Sequence, residues 1–121
     1  MDKVELRIRL KDFAIRIIKM VDSMPRTIAA DAIARQVVRS GTSPSANYRA
    51  ALIAKSDKDF LNKLKMVEEE LDETLHWIEI IMETEMINPE KMNNIHQECH
   101  ELLKIIVSTI VTTRKKVNPE S

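Results

Sequence analysis

Three histidines are the side chains of this chain best suited to binding a metal ion. His96 and His100 are one helical turn apart, the spacing of histidine pairs that share a zinc ion. Their segment, HQECH, matches neither HExxH nor HxxEH, the patterns of zinc proteases. His76 ends a Glu-x-x-His segment that begins at Glu73, but ferritin-like metal sites need two such segments and the sequence has one. We therefore predict no metal site, with these histidines as the candidates for ligands.

An acidic run, EEELDE, near the middle of the chain has three interpretations. Carboxylates four residues apart, such as Glu69 and Glu73, could hold a metal ion inside a helical bundle. The ordinary interpretation is a solvent-exposed helix face. In the third, Glu69, Asp72 or Glu73 forms an ion pair with an arginine earlier in the chain. The candidates for that arginine are Arg39 and Arg49, and such a pair would fix the geometry of two helices.

Patterns that would indicate catalysis are missing from the sequence. It contains no glycine-rich phosphate loop and no nucleophile–base pattern, and it has one glycine in 121 residues. The one cysteine, Cys99, is interpreted as a small core residue in a reducing compartment. No apolar run approaches the ~18 residues of a membrane span. We therefore expect a cytoplasmic protein with no catalytic residues, no cofactor and no membrane partner.

Charge is balanced overall but uneven along the chain. Residues 1–65 contain 14 Lys and Arg against 7 Asp and Glu, a net charge of +7, and residues 66–121 contain 5 against 12, a net charge of −7. Basic helices that pack beside acidic ones would explain this most simply. Alternatively, the basic half forms a surface for an anionic partner. The candidate anion-binding face consists of Arg7, Arg9, Arg16, Lys19, Arg35 and Arg39.

Helices must position all of these side chains. The content of one Gly, four Pro and 3 % aromatic residues is typical of an all-α protein. Apolar spacing predicts helices over about residues 4–24, 27–55 with a break near 41–43, 57–86 and 89–115, followed by a frayed tail at 116–121. Four helices with short connections predict an up-down-up-down four-helix bundle, formed as a single domain over residues 1–121.

Each predicted helix has an apolar stripe that we expect to face the core. In the first helix it consists of Leu6, Leu10, Phe13, Ile17, Met20 and Met24. In the second, Ile28, Ala29, Ala32, Ile33, Gln36 and Val37 are predicted to point inward. The third stripe is Phe60, Leu64, Val67, Leu71, Leu75, Ile78 and Met82, and the fourth is Met92, Ile95, Cys99, Leu102, Ile106, Ile110 and Thr113. Val4, Ile8, Ile15 and Ile18 lie off the first stripe, which predicts contact with a further subunit.

A kink or an interruption of the second helix near Gly41–Pro44 is predicted from the segment SGTSP. Ser43 and Pro44 together form a helix-start signal, and Gly41 suits the left-handed end of a preceding helix. Four nearby residues are assigned structural roles: Asn47, Tyr48, Arg49 and Trp77. Asn47 and Arg49 are expected to tie this joint to Glu69 or Glu73. Tyr48 and Trp77 are expected to seal the joint or to face a neighbouring subunit.

The stretch from residue 39 to residue 79 resembles the 23S rRNA intervening-sequence protein family, which has a four-helix-bundle fold. The resembling blocks are RSGTSP at 39–44, ANYRAA at 46–51, Ser56 with KDF at 58–60, and DET with WIE at 72–74 and 77–79. They occur in the family's order. Most members of the family have no assigned activity.

The resemblance extends to a related branch, the accessory proteins of diversity-generating retroelements. Those proteins form a pentameric ring with a basic surface and act with a reverse transcriptase and nucleic acid. The resemblance therefore implies a homo-oligomer, a pentamer, with RNA or a nucleic-acid enzyme as its partner. This chain is neutral overall, whereas the accessory proteins are strongly basic.

Three functions are thus open from the sequence. The first is a non-enzymatic oligomeric interaction protein that binds RNA or a protein partner. The second is a remnant or structural protein with no dedicated ligand. The third is a metal-dependent helical-bundle enzyme that uses His76, His96, His100 and nearby carboxylates.

Overall fold

A computed structural model describes residues 1–119, which form four α-helices and no strand. The helices are α1 (Lys3–Asp22), α2 (Ile28–Leu52), α3 (Asp57–Glu83) and α4 (Pro89–Val117). Short connections make successive helices antiparallel neighbours. Helix α1 packs on α2, only lightly on α4, and lies diagonally across the bundle from α3. The predicted all-α four-helix bundle is confirmed, with helix ends within three residues of those expected.

Each helix begins at a polar side chain that accepts a hydrogen bond from the free N–H groups of the first turn. Asp2, Thr27 and Ser56 accept from the third residue after them at 2.8–3.1 Å, and Asn88 accepts from Glu90 at 3.0 Å. These caps satisfy donors that have no partner inside the helix. Pro89 follows Asn88 at a position where its missing N–H costs no hydrogen bond.

The cores of α1, α3 and α4 follow the predicted stripes. All predicted core residues of α1 and α4 are buried. In α3 the buried side chains are Leu61, Leu64, Val67, Leu71, Thr74, Leu75, Ile78 and Ile81, with Phe60 and Met82 partly buried at the edge. None of the four helices within residues 1–119 is long and apolar enough to cross a membrane.

The predicted inward face of α2 is wrong by about a quarter turn of the helix. Ile28 is 94 % exposed, and Ala29, Ala32 and Gln36 are exposed as well. The buried residues are Ala30, Val37, Ser40, Gly41, Pro44, Tyr48 and Ala51. Helix α2 packs between α1 and α3 through small and polar side chains. The spacing of hydrophobic residues therefore does not locate this face.

Helix α2 runs without interruption from Ile28 to Leu52, so the predicted break near 41–43 is wrong. Gly41 is helical and has no positive φ. A Cβ at this position would lie 2.8 Å from both Cγ1 and Cγ2 of Ile17, so the glycine allows α1 and α2 to approach closely. Ser43 begins no helix, and its hydroxyl accepts a 2.8 Å hydrogen bond from the Asn47 side chain. Pro44 is buried inside α2, and a bend of the helix axis there stays a prediction.

The end of α3 has a defined backbone geometry. Glu85 adopts a left-handed conformation with φ of 56°, and its N–H donates to the Met82 carbonyl at 3.2 Å. The N–H of Met86 donates to the Ile81 carbonyl at 3.1 Å. These two bonds form the motif that commonly ends helices, here without the usual glycine.

The C-terminal end of α4 lies two residues beyond the predicted one. The helix continues to Val117, so the frayed tail does not begin at residue 116. The last two residues of that predicted tail, Glu120 and Ser121, lie outside the described residues.

The contact of Gly41 with Ile17 leads to a mutational prediction. We expect G41A to lower the free energy of unfolding by about 1–2 kcal/mol, because overpacking costs more than the better helix propensity of alanine returns. In an I17A background, which removes both clashing γ carbons, G41A should instead be neutral or stabilising. Urea unfolding followed by circular dichroism measures this free energy for the unsubstituted protein, G41A, I17A and I17A/G41A. An equal loss in both backgrounds would contradict the proposed close approach.

Candidate functional site

Arg39 on α2 joins two carboxylates of α3. Its guanidinium donates to Glu70 at 2.9 Å and also to Glu73. The indole N–H of Trp77 donates to the same carboxylate of Glu73 at 3.1 Å. The Trp77 hydrogen bond does most to lower the pKa of the Glu73 carboxyl, partial burial opposes it, and Arg39 lowers that pKa further. The cluster therefore holds Glu73 ionised between two donors at the α2–α3 contact.

The next residue of α2 adds a buried hydrogen bond to the same contact. The hydroxyl oxygens of Ser40 and Thr74 lie 2.9 Å apart, and both residues are fully buried. The Thr74 hydroxyl also lies 2.7 Å from the carbonyl oxygen of Glu70. Tyr48, 1 % exposed, fills the core about two turns further along α2, and burial raises the pKa of its hydroxyl. Residues 39–48 thus fix α2 against its neighbours.

Asn47 and Arg49 do not tie the joint to Glu69 or Glu73 as expected, and the Asn47 side chain donates instead to Ser43 of its own helix. Of the pairings expected with the acidic run, the structure contains that of Arg39 with Glu73. Arg49, Glu69 and Asp72 are exposed, and no ion pair involves them within residues 1–119. Trp77 is partly buried and hydrogen-bonded within the chain. The joint therefore orients helices, and it presents no nucleophile beside a base.

The six predicted anion-binding residues do not form one face. Arg9 is bound to Glu98 and Glu101 of α4, the latter at 3.0 Å, and Arg39 is bound to α3. Arg7 and Arg16 point to opposite sides of α1, about 180° apart. The others in the set are Lys19 and Arg35, both exposed. Two of these six cations, Arg9 and Arg39, are thus paired with acidic residues of the same chain.

A smaller basic cluster lies in a groove between α1 and α2. Arg7, Ile8 and Lys11 of α1 and Ser45 and Arg49 of α2 line this groove of about 290 Å³. None of its three cations has an ion-pair partner in the described part of the chain. Arg7 belongs to the predicted anion-binding face, but the sequence could not place Arg49 beside it, because the groove depends on how α1 and α2 are rotated.

The outer stripe of α1, defined here as Val4, Ile8, Ile15 and Ile18, borders this groove. Its side chains are 43–58 % exposed. On a helix of 3.6 residues per turn, the first three point within about 40° of one another, directly away from the core.

The structure separates the three histidines into two groups. His76 lies on the outer side of α3 with its ring 4.9 Å from that of Trp77. His96 and His100 lie together on α4, with ring centroids 5.0 Å apart. Glu79 of α3 joins this pair, with its carboxylate 3.5 Å from Nε2 of His96. The sequence analysis missed Glu79, although an antiparallel α3–α4 hairpin places it opposite His96.

Cys99 is excluded from surface chemistry by its burial. The side chain is 0 % exposed, and its thiol lies 3.5 Å from the Leu71 carbonyl oxygen. Burial, with smaller contributions from nearby carboxylates, raises the pKa of the Cys99 thiol to about 12. The residue is therefore a neutral part of the core, as predicted.

The lowered pKa of Glu73 predicts how stability depends on pH. The contribution of its carboxylate is complete above its ordinary pKa near 4.5 and is lost as the pH falls through the lowered value. We expect the free energy of unfolding of E73Q to change less between pH 6 and pH 3 than that of the unsubstituted protein. E69Q, which changes an exposed carboxylate of the same helix, should keep the original pH dependence. If E73Q kept the pH dependence of the unsubstituted protein, the ionised carboxylate of Glu73 would contribute nothing to the free energy of unfolding.

Comparisons with known proteins place this geometry in a family. The model of the 23S rRNA-intervening sequence protein family matches residues 3–108. A crystal structure at 1.70 Å of a protein of unknown function from the S23 ribosomal protein family, from Bacteroides thetaiotaomicron, superimposes with a TM-score of 0.84 and 33 % sequence identity. The match covers 91 % of this chain and 98 % of that one. No curated protein matches the chain. The chain belongs to the 23S rRNA-intervening sequence protein family.

Proposed function

We propose that this protein is a cytoplasmic, non-enzymatic interaction protein that assembles into a homo-oligomer through the outer stripe of α1. The exposure of Val4, Ile8, Ile15 and Ile18 on the side away from the core carries this proposal. Contiguous exposed aliphatic side chains are typical of interaction surfaces. Contact with another subunit would remove them from water, at a gain of about 25 cal/mol per Å² of apolar surface.

The partner surface that fits this stripe is the outer face of α3 in a second copy. Glu69, Asp72 and Glu83 are exposed on α3, and Met66 beside them is 44 % exposed. This acidic face complements Lys19, which is exposed on the flank of the outer stripe opposite the groove. Because α1 and α3 lie diagonally across the bundle, each subunit presents one surface of each kind on opposite sides.

Such an interface joins two different surfaces, and repeated copies form a ring if the rotation between them closes. The resemblance to pentameric accessory proteins supports five copies. The proposal therefore has a definite size, about 70 kDa for five chains of 14.0 kDa.

The groove that contains Arg7, Lys11 and Arg49 supports a second role, contact with RNA. Its cations have no carboxylate partner within residues 1–119, and phosphates are bound by such groups with strong salt dependence. The name of the family refers to 23S rRNA. In this role the assembled protein would present one such groove per subunit.

Size-exclusion chromatography with light scattering tests the assembly. We expect the unsubstituted protein to elute at about 70 kDa (five chains of 14.0 kDa) and I8D/I15D to elute as a 14.0 kDa monomer. The helical circular dichroism of this variant should be unchanged, because neither side chain is in the core. I28D is the matched control, since Ile28 is 94 % exposed but lies outside the outer stripe. It should keep the original mass.

Two outcomes would overturn the proposal. A monomeric unsubstituted protein would remove the oligomer itself, and an I8D/I15D variant of unchanged mass would show that the outer stripe is not the interface. Absorbance at 260 nm during the same runs, on protein purified at low salt, reports bound nucleic acid. Excess absorbance that R7E/K11E abolishes without a change in mass would support the role in RNA binding. A preparation free of nucleic acid would argue against it.

A further inference from the structure

We propose that Glu79, His96 and His100 form a binding site for zinc or a similar first-row divalent cation between α3 and α4. One carboxylate oxygen and one nitrogen of each imidazole lie within 4.8 Å of one another. The atoms of Glu79 and His96 are 3.5 Å apart. No ligand of this site belongs to the outer stripe of α1, although Glu83 beside the site belongs to the α3 face proposed above as the partner surface.

The spacing of these atoms suits tetrahedral coordination. Zinc bonds of about 2.0–2.2 Å place two ligand atoms roughly 3.3–3.5 Å apart. Glu79 and His96 already meet this distance. The distances to His100 need to shorten by at most about 1.5 Å to reach it, which rotation of the half-exposed carboxylate and the imidazole can supply. No movement of the backbone is required.

Rigid elements hold the ligands in place. The two histidines lie on successive turns of α4, and the carboxylate comes from the helix packed against it. A groove of about 440 Å³ beside the site, lined by Glu79, Met82, Glu83 and His96, is open to solvent. It leaves room for a water molecule as the fourth ligand. The three protein ligands therefore supply three of the four positions of a tetrahedral site, and the fourth faces solvent.

The chemistry of the ligands selects the metal. Two imidazoles and one carboxylate suit zinc, cobalt, nickel and copper, whereas magnesium and calcium prefer oxygen ligands throughout. Gln97 occupies the position that holds the catalytic glutamate in an HExxH helix. The site is therefore suited to binding and not to hydrolysis. A cation that binds here joins α3 to α4 and stabilises the folded chain.

Isothermal titration calorimetry on untagged protein, freed of metal with EDTA and then dialysed, tests the site. We expect one zinc ion per chain from ZnCl₂ and no comparable heat from MgCl₂. Cobalt should give the visible absorption of a tetrahedral complex. With zinc at about 100 times its Kd, the melting temperature should rise by about 10 °C.

Single substitutions assign the binding to these three residues. H96A and H100A should abolish zinc binding, and E79Q should raise the Kd at least tenfold. Glu79 is half exposed, so E79Q keeps the test valid if a histidine variant fails to fold. H76A is the matched control, because it removes the remaining histidine without touching the site, and its affinity should be unchanged. An equal loss of zinc affinity in H76A would overturn the proposal. So would less than half a zinc ion bound per chain of the unsubstituted protein.

Discussion

The close approach of α1 and α2 at Gly41 is the constraint on which the rest of the bundle depends. Three consecutive residues of α2 face two different helices there. Arg39 and Ser40 bind α3 through an ion pair and a buried hydrogen bond, while Gly41 contacts Ile17 of α1. Any shift of α2 that relieved one of these contacts would strain the others. Tyr48 and the groove with Arg49 take their positions from this arrangement.

The sequence predicted the bundle well where burial and hydrophobicity coincide. Leu10, Leu64 and Ile106 lie in regular stripes of large aliphatic residues, and the helices that carry them were placed correctly. Helix α2 is different because its buried face contains small or polar residues such as Ser40, Gly41 and Pro44. The same residues are typical of turns, so they predicted a break where the helix is continuous. Only the packing against α1 and α3 explains why the helix continues.

The candidate sites depend even more on relations between helices. The charge difference between the two halves of the chain is visible in the sequence, and the pairing of Arg39 with Glu73 is one of the pairings expected from it. The pairing of Arg9 with Glu98 and Glu101 is not, because it depends on how α1 and α4 pack. The histidine pair on α4 is recognisable from its spacing. Its third member, Glu79, lies on the other helix of the hairpin, so spacing within one helix does not reveal it.

The left-handed residue at the end of α3 has a consequence for the length of the chain. Glu85 and the bonds of its neighbours define the turn that sets α4 against α3. Because this turn fixes where α4 begins, one residue inserted inside α4 between Pro89 and His96 would rotate the rest of the helix by about 100° and advance it by about 1.5 Å relative to α3. His96 would then leave Glu79, and the core stripe of α4 would turn away from α3. An extra residue in the turn itself would instead bulge into solvent and leave this register unchanged.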